Sequence, residues 1–302
     1  MNADAVPSPA VGLTGRVRAY ASFVKIEHAL FSLPVMLAGA WLAAPRGVAP
    51  LTLVWIGLAG IGARTAALAL NRLLDRALDA QNPRTQVREL PSGRISAREG
   101  WLVAAVGAAV YFVAAAALNP LCLALSPVPL AVFTLYPLLK RFTPLCHFGV
   151  GAALALSPLG GFLAVTPDLG AAFVACGALA LFTLAWVAGF DIIYATLDEA
   201  FDRAHGVRSL PATLGSARAL VVSRFVHVAG FAALATWAWS RWPSPSVAFA
   251  LAAVAAGLAW QQASARNVDL AFFRINAGLG FVVLAVVLAG QGLPFASTGI
   301  TP

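Results

Sequence analysis

Two short stretches of this sequence gather acidic side chains at helical spacing. In the first, Asn71, Asp75 and Asp79 follow one another at intervals of four. Residues four apart share one face of a helix, so the three form a single polar stripe with Leu73, Leu74 and Leu78 turned elsewhere. In the second, Tyr194, Asp198 and Asp202 lie 3, 7 and 11 residues after Asp191, which predicts one continuous face again. Asp191 comes directly after a long apolar run, so it is expected at or just below a membrane surface. An unpaired carboxylate there costs several kcal/mol. Two such stripes facing each other repel when ionised, and a divalent cation relieves the repulsion. Hard oxygen ligands without a cluster of histidines suit Mg²⁺.

Mg²⁺ commonly takes one or two protein carboxylates and shares its remaining positions with substrate phosphate. A diphosphate is therefore the natural third partner. Arg84, Arg88, Arg94, Lys140, Arg141 and Arg208 lie close enough in sequence to the acidic stretches to bind its other oxygens, the arginines in bidentate fashion. No P-loop is present, which points away from a nucleotide and toward a diphosphate carried on a lipid. His147, His205 and His227 are scattered and read as structural. Cys122, Cys146 and Cys176 have no CxxC spacing and read as small buried hydrophobes.

The elements that must position these groups are written in the composition. Of 302 residues, 60% are apolar and only 11% charged, against about 25% charged in a soluble domain. The mean hydropathy is +0.83. A soluble fold of this length could not hide that much apolar surface, so lipid is the expected solvent. A helical span needs about 20 apolar residues. Nine runs qualify, near 28–44, 53–74, 101–118, 121–138, 147–166, 171–192, 219–239, 246–263 and 276–292. The expected fold is all-α, with nine transmembrane helices around a central cavity and cap loops after the second and sixth.

Nine spans place all but Arg46, Arg64 and Arg241 of the 20 basic residues on the side of the N-terminus. That side is then cytoplasmic and the C-terminus lies outside, as in a bacterial inner-membrane protein. The net charge of +8 is explained by this asymmetry, not by nucleic acid. The first apolar run begins near Ala29, after a polar stretch with Arg16, Arg18 and Lys25, and reads as a retained span, not a signal peptide. The chain is expected to form one membrane domain over 1–302, with residues 1–20 poorly ordered or interfacial. The loops after spans two and six echo each other. Each begins in the acidic stripe and runs on to an Arg and then Leu-Pro, at Arg88 with Leu90-Pro91 and at Arg208 with Leu210-Pro211. This hints at two related helix bundles around one site.

The stretches KIEHALFSLP (25–34), NRLLDRALDAQNPRT (71–85), YPLLKRFTPLCH (136–147) and GFDIIYATLDEAFDRAHGVRSLPA (189–212) resemble the UbiA-type intramembrane aromatic prenyltransferases. The likeness extends over essentially the whole chain and is strongest to the 4-hydroxybenzoate polyprenyltransferase branch. It implies transfer of a polyprenyl group from a polyprenyl diphosphate to a phenolic acid in quinone biosynthesis, by Mg²⁺-assisted ionisation and ring alkylation. A hydroxynaphthoate acceptor is the alternative. The resemblance implies that Asn71, Asp75 and Asp79 hold one Mg²⁺ and that Asp198 and Asp202 hold a second. It implies that Asp191 or Tyr194 orients the acceptor or handles its proton, and that Lys140, Arg141 or Arg64 meets the acceptor carboxylate. Arg72 departs from the pattern, because many members carry Asp directly after the first Asn, so one metal ligand is missing.

Three other classes fit less well. A secondary transporter would place its charges near the bilayer midplane, often at broken helices. A CDP-alcohol phosphotransferase would carry one clustered DGxxAR-type motif, which is absent. A membrane scaffold has no need of two aligned acidic pairs.

Overall fold

The computed structural model describes residues 13–25, 29–265, 267 and 274–292. All regular structure among these residues is helical. In chain order the helices are α1 (Leu13–Val24), α2 (Ala29–Ala43), α3 (Pro50–Gln81), α4 (Ala97–Leu118), α5 (Pro120–Leu125), α6 (Pro127–Leu139), α7 (Cys146–Val165), α8 (Leu169–Ala195), α9 (Glu199–Ala204), α10 (Leu210–Leu214), α11 (Ser216–Arg241), α12 (Pro245–Ala263) and α13 (Ile275–Gly290). Residues 13–20, at the end of the segment expected to be poorly ordered or interfacial, belong to α1. Glu27, His28 and Arg266 lie outside the described residues.

Every apolar run of the sequence coincides with helix. Among the described residues seven helical stretches are long and apolar enough to cross a membrane, counting α5 with α6 and α8 through α9. The first and last runs give shorter helices: α2 has 15 residues and α13 has 16. At 1.5 Å per residue they reach about 22 and 24 Å, less than the roughly 30 Å of a hydrocarbon core.

α3 runs past its apolar stretch to Gln81, because Leu73, Leu74 and Leu78 continue a helix-forming sequence. It stops where Pro83 forces its predecessor out of the helical region, and Asn82 is extended at φ −87°, ψ 119°. The fourth apolar run forms one span as expected, with its hydrogen-bond pattern interrupted only at Ser126 ahead of Pro127, where the backbone stays helical (φ −58°, ψ −26°). The second acidic stretch is not one continuous helix. Thr196–Asp198 forms a turn of 3₁₀-helix between α8 and α9. The chain winds more tightly through this turn than in the helices on either side.

The helices approach closely where glycines meet. A Cβ on Gly39 would lie 1.9 Å from the Pro158 carbonyl oxygen, and one on Gly161 1.8 Å from that of Met36. Only glycine permits this contact of α2 with α7, the small-residue packing typical of membrane bundles. Gly62 and Gly107 do the same between α3 and α4. α8 forms the axis of the core. Its Leu179, Phe182, Trp186 and Phe190 pack with Leu234 of α11, Val254 of α12 and Val283 of α13. At one end, a capping box between Ser96 and Glu99 starts α4, and Glu99 also accepts from Arg16 (2.6 Å) and Tyr20 (2.8 Å) of α1.

Candidate active site

A cavity of about 1190 Å³ opens between α2, α3, α4, α6, α7 and α8. Its walls are mostly apolar, with Ile56, Phe133, Leu154 and Phe190 among them. Its polar lining includes Asn71, Arg72, Arg88, Asp191, Tyr194, Asn267 and Arg274. Arg64 also lines it, one face with Asn71 on α3 and about 10 Å along the axis from it. The cavity thus joins a greasy chamber to a cluster of charges at the ends of α3 and α8.

Those charges are paired across the two acidic stretches. Arg84, five residues after Asp79, grips Asp198 through Nε (2.9 Å) and Nη2 and donates from Nη1 to the Tyr194 hydroxyl at 2.7 Å. Asn82 donates to the same carboxylate at 2.7 Å. Burial works against the Arg84 charge, but its bonds to Asp198 and Tyr194 outweigh burial and raise its pKa above the ordinary arginine value. Arg88 Nη1 reaches both oxygens of Asp79 at 2.9 Å. Lys140, in the turn after α6, meets Asp75 Oδ2 at 2.6 Å. Asp202 accepts from the Ser209 hydroxyl at 2.8 Å. His147, at the start of α7, meets Asp191 Oδ2 at 2.6 Å.

The remaining expected residues are placed differently. Arg141 and Arg208 are exposed, and each donates to a backbone carbonyl, Leu74 at 3.1 Å and Phe142 at 2.8 Å. With its amide also bonded to the Lys140 carbonyl at 2.7 Å, Arg208 clasps the turns 140–145 and 205–209 together, while Arg141 ties the first of these turns to α3. Arg72 is buried against Glu89, close to the Ser22 carbonyl (3.4 Å) and over the Phe23 ring. It ties the loop 82–96 to α1. Burial alone would raise the Glu89 carboxyl, but the Ser22 hydroxyl (2.7 Å) and Arg72 hold it below the usual glutamate range. Asn82, Glu89, Ser209 and the His147 contact lie outside the set that sequence reasoning singles out. The turn signal Asn82-Pro83 could have marked the first of these. Nothing local marks the others, which depend on loops meeting in space.

Whether Mg²⁺ suits this site can be judged from the donors. Among the described residues no three carboxylate, imidazole or thiol side chains are already gathered as a metal site. Yet Asp75 Oδ1 is buried with no hydrogen-bond partner, and such an oxygen is costly to bury unless a cation meets it. Hard carboxylate oxygens now neutralised by long cationic side chains fit a magnesium ion that arrives with its own phosphate ligands.

The model of the UbiA prenyltransferase family matches residues 32–277. The chain belongs to this family. It is a prenyltransferase, and its apolar helices make it an integral membrane protein. The 4-hydroxybenzoate octaprenyltransferase of Sodalis glossinidius (strain morsitans) is 30% identical over 250 residues, 82% of this chain and 85% of the relative. That of Nitrosomonas europaea is 34% identical over 203 residues, 66% of this chain and 68% of the relative. Among solved structures, the apo UbiA homolog from Aeropyrum pernix K1 superposes with a TM-score of 0.79 at 34% identity, covering 85% of this chain and 96% of that one. A UbiA homolog from Archaeoglobus fulgidus, solved with GPP and Mg²⁺, shares the fold with a TM-score of 0.67 at 18% identity, over 90% of this chain and 98% of its own. Arg72, the residue at which the sequence departs from the family pattern, is the one paired with Glu89.

Proposed function

We propose that this UbiA-family chain transfers a polyprenyl group from its diphosphate to the ring of a 4-hydroxybenzoate-like phenolic acid in quinone biosynthesis. The observation that carries the reading is the pairing of Arg84 with Asp198 and Tyr194 beside an apolar cavity, which brings both acidic stretches to one mouth. The names of the relatives point to the same acceptor and to a long prenyl donor.

In this reading Asn71, Asp75, Asp79, Asp198 and Asp202 hold Mg²⁺ together with the donor diphosphate. The metal supplies positive charge that stabilises the diphosphate as it leaves. Lys140, Arg84 and Arg88 neutralise Asp75, Asp198 and Asp79 at rest. When the donor arrives they turn onto its phosphate oxygens and release the carboxylates. Each charge keeps a partner throughout, which avoids the several kcal/mol that stranding a buried charge costs. The apolar walls hold the isoprenoid tail and keep water from the allylic cation. Arg64 holds the acceptor carboxylate, and Asp191 and Tyr194 meet its hydroxyl end. Arg208 keeps the rim turns together, and Arg141 ties its turn to α3. The nine-helix arrangement expected from the sequence, with α2 and α13 as its first and last members and the loops 82–96 and 205–209 as a cytoplasmic cap, belongs to the same proposal. So do a single domain over 1–302 and an outward C-terminus.

The test is an assay of membranes carrying the chain with Mg²⁺, one polyprenyl diphosphate and a panel of aromatic acids, read by mass spectrometry. Prenylated 4-hydroxybenzoate is the expected product. Prenylated hydroxynaphthoate alone would move the chain to menaquinone-type synthesis, and no prenylated acid from any acceptor would overturn the reading.

A further inference from the structure

His147 sits between two groups that together fix its ring. Its Nε2 accepts from the Leu210 amide at 3.2 Å, so the ring proton must reside on Nδ1, where it faces Asp191 Oδ2 at 2.6 Å. The ring is only 2% exposed and has no freedom to turn. Asp191 by contrast lines the cavity with about a quarter of its side chain accessible, 26%. One carboxylate oxygen is thus consumed by the imidazole, and the other is left for whatever enters the chamber.

We infer that His147 is a positioning residue for the acceptor subsite, holding Asp191 so that a single carboxylate oxygen meets a phenolic hydroxyl. This deepens the function proposed above and rests on it. The geometry also orients the acceptor. A carboxylate repels the acid end of a hydroxybenzoic acid and accepts from its hydroxyl end, so the acid group turns toward Arg64. In the transfer step the allylic carbon–oxygen bond breaks and its electron pair leaves on the diphosphate. The ring carbon beside the hydroxyl forms the new carbon–carbon bond while Asp191 takes the phenolic proton. Asp191 returns that proton to the oxygen as the alkylated carbon loses its own hydrogen to the departing diphosphate. His147 keeps its Nδ1–H on Asp191 throughout and serves only to hold the carboxylate. Because Leu210 begins α10, the same contact makes the subsite depend on the segment 205–214, the loop that echoes the one around Leu90.

The experiment compares full-length wild type with His147→Gln and His147→Leu in the same detergent, with 4-hydroxybenzoate and a polyprenyl diphosphate. A glutamine amide keeps one donor and one acceptor close to the place of the imidazole, and leucine keeps neither. His147→Leu should lower kcat by about 100-fold with the KM for the donor diphosphate unchanged, and His147→Gln should stay within about 3-fold of wild type. Wild-type kcat in His147→Leu would overturn the inference. So would equal losses of activity and thermal stability in both variants, because that marks a packing role. If wild type itself prenylates no phenolic acid, the proposed function fails and this inference fails with it. Turnover by wild type with an indifferent leucine variant removes this inference alone.

Discussion

Two buried histidines flank α8, and their surroundings differ in kind. His227 of α11 is 3% exposed and His147 of α7 is 2% exposed, so burial does not distinguish them. Among the contacts of His227, its Nε2 lies 3.1 Å from the Trp186 carbonyl and its Nδ1 2.9 Å from the Gln262 amide. Beyond it the network runs on through uncharged groups: Ser223 to the Gly189 carbonyl, and Trp186 and Gln261 to Asn276. It joins α8 to α11, α12 and α13, and each of these donors finds an acceptor within the bundle. His147 instead faces a carboxylate that opens on a cavity, near a set of ion pairs whose cations reach across separate loops. A neutral hydrogen-bond network of this kind rigidifies a core. A network of charges that can exchange partners serves binding. The two faces of one helix thus divide architecture from chemistry.

Substitutions on the two faces should separate accordingly. The largest effect is expected on the charged side: Asp75→Asn or Asp198→Asn should lower kcat by about 100- to 1000-fold while the protein remains folded in detergent, checked by product assay beside thermal unfolding. Retained activity in both would erase the functional contrast. Next comes the clasp between α1 and the loop 82–96. Glu89→Ala strands Arg72 in a buried site and should destabilise the protein by about 3–5 kcal/mol, read from the shift in thermal unfolding. On the neutral side, a Cβ at Gly189 would lie 2.1 Å from His227 Nε2. Gly189→Ala should therefore cost about 1–3 kcal/mol of stability, with kcat per folded molecule nearly unchanged. A selective loss of kcat in this variant would show that the neutral face takes part in turnover.

Acid should act on the clasp as well. The Glu89 carboxyl is held below its ordinary value of 4.5. Its contribution to stability is complete above that value and is lost as the pH falls through the lower folded value. Thermal unfolding tracked downward from pH 5 should show a loss that Glu89→Gln lacks. The smallest effects belong to Arg141 and Arg208, exposed and bonded to backbone carbonyls. Arg141→Ala and Arg208→Ala should each change kcat/KM by less than about 3-fold, in line with surface substitutions generally. A larger rise in donor KM would return them to the diphosphate site.

Hydropathy made the bundle legible, since each apolar run from Leu51 to Ala263 became helix close to where the composition placed it. The first and last runs, of 17 residues each, already read as short, and α2 and α13 follow them with 15 and 16 residues. The breaks were hidden. Ser126-Pro127 interrupts the hydrogen-bond pattern of a run that reads as continuous, and a 3₁₀ turn at Thr196–Asp198 divides the second acidic stretch. The acidic residues could be found from their intervals of four. Their partners could not, since Arg84 with Asp198 and His147 with Asp191 join residues 114 and 44 positions apart. Arg72 gave the clearest misfit with the family pattern, and its reason emerged only with Glu89 and Ser22 beside it.

Turnover on this view depends on acidic helix ends that exchange their own cations for a metal-bound diphosphate. Manganese, a spectroscopic stand-in for magnesium, reports this directly through electron paramagnetic resonance of the purified protein titrated with and without inorganic diphosphate. Tight Mn²⁺ binding only when diphosphate is present, lost in Asp75→Asn and in Asp198→Asn, is the expected result. Undiminished diphosphate-dependent binding in both variants would contradict it.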